Sequence, residues 1–163
     1  MDSTGLKVTI KQIRGLKMKN FILFTAFMLM SAFTIPLFAT FESSTVNGDV
    51  IVTDTETGLI WQKTYVSGKK WQQALYYCEN LTYAGYNDWR LPNRNELLSL
   101  VNFEKYEPAS DFPDMPSGYF WSSSTYVNNL FVGYATHARV VSFEYGELDT
   151  EDKTDSLLCR CVR

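Results

Sequence analysis

Asp88-Trp89-Arg90-Leu91-Pro92-Asn93-Arg94-Asn95-Glu96-Leu97 is the stretch around which this chain is organised. Asn93 is a good helix N-cap, and Glu96, three residues on, can return a hydrogen bond to the cap backbone and complete a capping box. The segment predicts an extended approach ending at Pro92, then a helix whose buried stripe is Leu97, Leu100 and Val101. Glu96 is therefore read mainly as a cap. Trp89 is expected to fill core, with Asp88 and Arg90 pairing or bonding loop backbone, because charges near a core need such partners. A carboxylate, an indole and a guanidinium side by side would also suit a ligand site, but the structural role is the one expected.

On the N-terminal side, Gly48 to Lys63 reads as a hairpin. Val50 and Val52, then Leu59 and Trp61, alternate with less buried positions, and Asp54-Thr55-Glu56-Thr57-Gly58 supplies the turn. Trp71, Ala74, Leu75, Cys78 and Leu81 then fall on one apolar helix face. On the C-terminal side, Glu104 to Ser117 is rich in Pro, Asp and Ser and reads as an irregular surface loop. Three strands are expected after it, Tyr119 to Thr125, Ala135 to Glu144 and Ser156 to Arg163, with a turn at Gly146 and an exposed acidic connection over Asp149 to Lys153. This element order supports a mixed α+β domain.

Four blocks occur in order: Thr57-Gly58-Leu59-Ile60-Trp61-Gln62, the Asp88-Trp89-Arg90 stretch, Tyr119-Phe120-Trp121-Ser122-Ser123, and Arg160-Cys161-Val162-Arg163. Together they resemble the domain family named for the C-terminal domain of the Legionella collagen-like protein (Lcl), over roughly Val50 to Arg163. The resemblance implies an α+β, C-type-lectin-like fold, with two helices packed on small antiparallel sheets, and a non-catalytic role outside the cell or in its envelope. It gives Trp61, Asp88, Trp89, Arg90, Glu96 and Trp121 structural roles and pairs Cys78 with Cys161. Cys159 is then left over, as a buried thiol or as a competitor for Cys78, since positions i and i+2 of a strand face the same side. The collagen-like stalk of the namesake is absent from this sequence.

The N-terminal residues 1–39 are read as an extension and signal peptide. A basic segment precedes the apolar run Phe21 to Ala39, and Leu37-Phe38-Ala39 permits cleavage, which places the mature start near Thr40. Translation from Met18 would restore an ordinary signal length. The same run is close to the roughly 20 residues that span a bilayer, so an uncleaved anchor is the alternative. Either way Lys11, Arg14, Lys17 and Lys19 put residues 40–163 outside the cytoplasm, in the periplasm, on the surface or secreted. Cysteines in such a compartment form disulfides readily.

Residues 40–163 carry 10 Lys and Arg against 17 Asp and Glu, a balance of −7. A nucleic acid or a heavily sulfated polysaccharide would meet net repulsion, so neither is expected as a partner, and the association of the namesake with sulfated glycans is not carried over. Four Trp, ten Tyr and eleven Phe allow a compact core to form without a cofactor, and none is expected.

Several residues invite chemistry. Glu104, Glu107, Asp111 and Asp114 could gather around Ca²⁺, but no EF-hand spacing occurs and the sugar-binding triplets of calcium-dependent lectins are missing; solvated acids are the plainer reading, and no metal is expected. Ser122-Ser123-Ser124 and His137, the sole histidine, could pair as a hydrolase, yet there is no Gly-x-Ser-x-Gly elbow and no third group at telling spacing. The serines are expected to bond nearby backbone. Zinc on Cys78, Cys159, Cys161 and His137 conflicts with a disulfide in an exported domain. The remaining candidate is the 125–134 segment, which mixes aromatics and amides; Tyr126, Asn128, Asn129 and Tyr134 are the expected contacts for a carbohydrate or protein ligand. The competing expectation is a structural envelope component held by the N-terminal apolar run.

Overall fold

A computed structural model describes residues 41–127 and 135–163. The signal-peptide or anchor reading of residues 1–39 lies outside the described residues, as do Asn128, Asn129 and Tyr134. Among the described residues no helix is long and apolar enough to cross a membrane.

The Gly48–Lys63 hairpin forms as β2 (Asp49–Asp54) and β3 (Ile60–Gln62), and β1 (Phe41–Val46), which the sequence reading lacked, pairs antiparallel with β2 on its other side. The turn is held by a buried carboxylate. Asp54 accepts from Glu56 N–H at 3.0 Å, Thr57 N–H at 3.3 Å and the Thr57 hydroxyl at 2.6 Å, and Gly58 takes a φ of +72° that a side chain would resist.

The second sheet has the order β4-β8-β5-β6-β7, built from β4 (Val66–Lys69), β5 (Tyr119–Tyr126), β6 (His137–Ser142), β7 (Glu147–Asp152) and β8 (Leu157–Cys159). Only the β5–β8 contact is parallel. Between β4 and β5 in sequence lie α1 (Trp71–Glu79) and α2 (Arg94–Leu98). Among the described residues the architecture is α+β with two helices and small, mostly antiparallel sheets, compatible with a lectin-like fold.

Successive residues of a strand face opposite ways, and here both faces of the β5–β6 pair are covered. Trp121 and Val140, paired in register, enter a core with Ala74, Cys78 and Trp89, whereas Phe120 and Val141, the next pair, enter a second core with Trp61, Leu97 and Phe112. α1 therefore serves the first core and α2 the second. Each buried side chain of this size stabilises the fold by roughly 1.5–3 kcal/mol relative to exposure.

Three expectations need correction. The acidic stretch Asp149 to Lys153 is not a free connection: residues through Asp152 belong to β7, paired along its length with β6. Its side chains are exposed or half-buried, as befits an edge strand, so no apolar alternation marks it. The 104–117 loop is irregular but not superficial, since Ala109, Ser110, Phe112 and Met115 are buried, with the Phe112 ring 5.3 Å from Phe41 and 6.3 Å from Trp61. The terminal strand is shorter than Ser156 to Arg163; β8 ends at Cys159, and Val162 continues in isolated bridges with Trp61 and Arg90.

Candidate functional site

The four sequence blocks meet in space. The backbone of Val162 exchanges two 2.9 Å hydrogen bonds with Arg90, while Ile60 and Arg163 exchange bonds of 3.1 and 2.9 Å, so the C-terminal residues lie clamped between β3 and the approach to α2. Cys161 sits in that clamp and is disulfide-bonded to Cys78 on α1, with the Cα atoms 5.4 Å apart. From the other side, Ser123 N–H donates to Pro92 O at 2.8 Å and Arg94 N–H to Ser124 Oγ at 3.1 Å.

Asp88, Arg90 and Glu96 are each engaged, but not as expected. Asp88 and Arg90 do not pair. Asp88 receives Arg163 Nε at 2.7 Å and Nη2 at 3.1 Å, and the Arg163 guanidinium lies 3.7 Å from the Tyr86 ring centroid. Arg90 makes a two-pronged pair with Glu96, at 2.7 and 2.8 Å, and Glu96 also accepts from Asn93 N–H at 2.8 Å in the predicted capping box. Burial pushes the Glu96 carboxyl up, but the bonds from Arg90 and Asn93 outweigh it and hold the carboxyl below its ordinary range. Trp89 is buried, with Nε1 donating to Tyr83 O at 3.1 Å; Trp121 is buried, with Nε1 donating to Lys69 O at 2.8 Å; Trp61 is buried in the second core. With its charges paired and its rings packed, this constellation holds the two helices and the chain end together.

The other candidates are dispersed. Asp111 is taken by Lys105 and Asn102, and Asp114 by Lys63 at 3.0 Å. Ser122 Oγ donates to Arg139 O at 2.7 Å and accepts from Ser124 N–H, so these serines bond backbone as expected. His137 is exposed on β6, its Nδ1 2.8 Å from Thr136 Oγ1. Cys159 is a buried free thiol whose pKa burial pushes up to about 12. Of the 125–134 segment, Tyr126 is described: it is half-buried at the end of β5 under the Arg139 guanidinium, 4.4 Å from the ring centroid.

A surface that the sequence reading missed runs along α1. A groove of about 630 Å³ is lined by Lys69, Gln72, Tyr76, Tyr77, Asn80 and Thr82, among others. Tyr76 is 67% exposed. Tyr77 is fixed by a 3.1 Å bond from Gln62 Nε2 to its hydroxyl, and Asn80 Nδ2 is held by Tyr76 O at 2.9 Å. The Gln72 amide makes no hydrogen bond among the described residues. The sequence did carry a signal: Gln72, Tyr76 and Asn80 recur every fourth residue on the side of α1 away from Ala74 and Cys78.

Fold and cross-link together define a small, disulfide-closed α+β domain in which the N-terminal hairpin and the C-terminal residues pair directly. The chain belongs to the Lcl C-terminal domain family, whose family model matches residues 50–163. No curated protein matches the chain. Family membership and the Cys78–Cys161 disulfide point to an exported bacterial domain.

Proposed function

We propose that the domain is an exported, non-catalytic binding module that recognises a carbohydrate or a protein at the cell envelope or surface, in the manner of an adhesin. The observation that carries this reading is the α1 groove, where an exposed Tyr76 ring stands beside the Gln72 amide on a helix anchored by a disulfide. Aromatic faces stack on the C–H surfaces of sugars, and amides supply both donors and acceptors for hydroxyls. The helix is rigid where it must be: Trp71 Nε1 donates to Ser122 O at 2.8 Å and the backbone Trp71 N–H to Lys153 O at 3.1 Å, so the groove is formed before a ligand arrives. The segment around Tyr126 remains a second contact surface in this proposal.

The test is binding of the purified protein to a broad glycan array, first with calcium and then with chelator. Selective, saturable binding that survives chelation is expected. A blank array with folded protein would transfer the reading to a protein ligand, and binding lost in chelator would contradict the metal-free site.

A further inference from the structure

Three large aromatic side chains stand out of the domain on one rigid corner, remote in sequence from α1 and from the 125–134 segment. Phe103 is 77% exposed, Tyr106 76% and Tyr145 57%. The corner is built from two turns stitched by backbone, Glu107 N–H donating to Glu144 O at 2.9 Å and Ala109 N–H to Phe143 O at 2.7 Å, and the second turn is closed by Gly146 N–H to Ser142 O at 2.9 Å. Gly146 is closely covered, since a Cβ there would lie 2.9 Å from Val101 Cγ1 and 3.7 Å from Phe103 Cδ1, which puts Phe103 against the turn that carries Tyr145. Solvent-facing aromatics grouped on a fixed backbone mark an interaction surface more often than scattered single ones do.

Charge decides what covers it. Glu104, Glu107 and Glu144 belong to the same two turns, and none of the three forms an ion pair among the described residues. The nearby cation, Lys105, is taken by Asp111. Glu144, by hydrogen bonding and charge, and Glu107, by charge, help raise the Tyr145 pKa, so carboxylate and ring are neighbours. An anionic ligand would be repelled here, and a neutral sugar would cover the rings while leaving three carboxylates uncompensated. A cation satisfies both, over the ring faces and against the carboxylates.

We infer that the Phe103–Tyr106–Tyr145 corner docks a cationic peptide segment of a protein partner, whose Lys or Arg side chains lie over the rings and among the Glu104, Glu107 and Glu144 carboxylates. This surface is separate from the α1 groove and stands whether or not that groove takes a sugar.

The experiment titrates the full chain with a lysine–glycine repeat peptide and with its glutamate–glycine counterpart. The lysine peptide is expected to bind saturably and the glutamate peptide not at all. Phe103→Ala, Tyr106→Ala and Tyr145→Ala, each at an exposed position and each checked by thermal melting, are expected to weaken binding by about 2- to 30-fold, the span for a cation over an exposed to a partly desolvated ring. Glu104→Lys/Glu107→Lys is expected to abolish it, whereas Glu42→Lys/Glu56→Lys, the same charge change on exposed residues of β1 and the β2–β3 turn, is expected to leave most of it. Equal losses from the two double variants, or unchanged binding in the aromatic variants, would mean diffuse attraction to an acidic protein and would overturn the assignment.

Discussion

Arg160 places a cation where the protein gives it little. The residue is 1% exposed, its guanidinium lies 4.2 Å from the Phe112 ring centroid and 5.9 Å from that of Phe120, and none of its three nitrogens donates to an acceptor among the described residues. Ring faces offset part of the desolvation, by up to about 2 kcal/mol, but a buried unpaired charge costs more than that. Burial accordingly drives the Arg160 pKa down to about 10. For a cation with a depressed folded value the cost is present in full below that pH and is relieved only as pH rises through it, so it is in force at neutrality. Arg160→Met, which keeps the volume and removes the charge, is expected to leave stability unchanged or to raise it by about 1–4 kcal/mol in thermal or denaturant melts. A loss of similar size would show that the guanidinium has a partner worth more than its burial. Cys159 offers a second test at this scale. Buried, with a thiol that stays protonated, it is expected to resist iodoacetamide in the native protein; the chain of three cysteines takes one label when unfolded without reductant and three when unfolded with it. Native labelling would contradict the packing of β8.

At the scale of elements, α2 shows how a five-residue helix survives. Its Asn93 side chain accepts from Asn95 and Glu96 N–H, Glu96 returns the bond to Asn93, and Arg90 locks Glu96 from outside. Glu96→Gln is expected to cost about 2 kcal/mol at pH 7, the worth of its charge-assisted bonds. Because the folded carboxyl lies below its ordinary value of 4.5, the contribution is complete above that pH and disappears as pH falls through the lowered folded value. Wild type and Glu96→Gln should therefore converge in stability toward strong acid, and parallel curves across the acid limb would rule out the ionic lock. The capping box, the α1 stripe and the Asp54–Gly58 turn were legible in sequence because each is written in residues a few positions apart. The lock was half legible: Asn93 and Glu96 are three apart, but the choice of Glu96 for Arg90 and of Arg163 for Asp88 depends on a contact 75 residues away. β7 was illegible for another reason, since an edge strand with no fully buried side chain needs no apolar alternation. Phe112 and Met115 were hidden by the Pro and Asp around them, which describe the backbone of the loop but not where its side chains go.

For the whole molecule, the pairing of chain end with hairpin and of Cys161 with Cys78 makes the domain one closed unit with a core on each face of β5–β6. The cross-link closes a loop of 83 residues. Cys78→Ala/Cys161→Ala is expected to cost roughly 4 kcal/mol, whereas Cys159→Ala costs no more than a small core cavity, about 1 kcal/mol. Denaturant midpoints that ranked the two variants the other way would place the essential sulfur chemistry on Cys159. The proposed binding surface was the part the sequence disclosed least. Attention falls naturally on the aromatic 125–134 segment, whereas Gln72, Tyr76 and Asn80 are interleaved with the core stripe of α1 and emerge as a groove only when the helix is set in place. The most direct test of the binding-module account is therefore the glycan array repeated with Tyr76→Ala beside wild type. Selective binding by the wild type that is lost in the variant, with unchanged melting temperature, is the predicted result; equal binding by the two proteins would contradict the α1 groove as the recognition site.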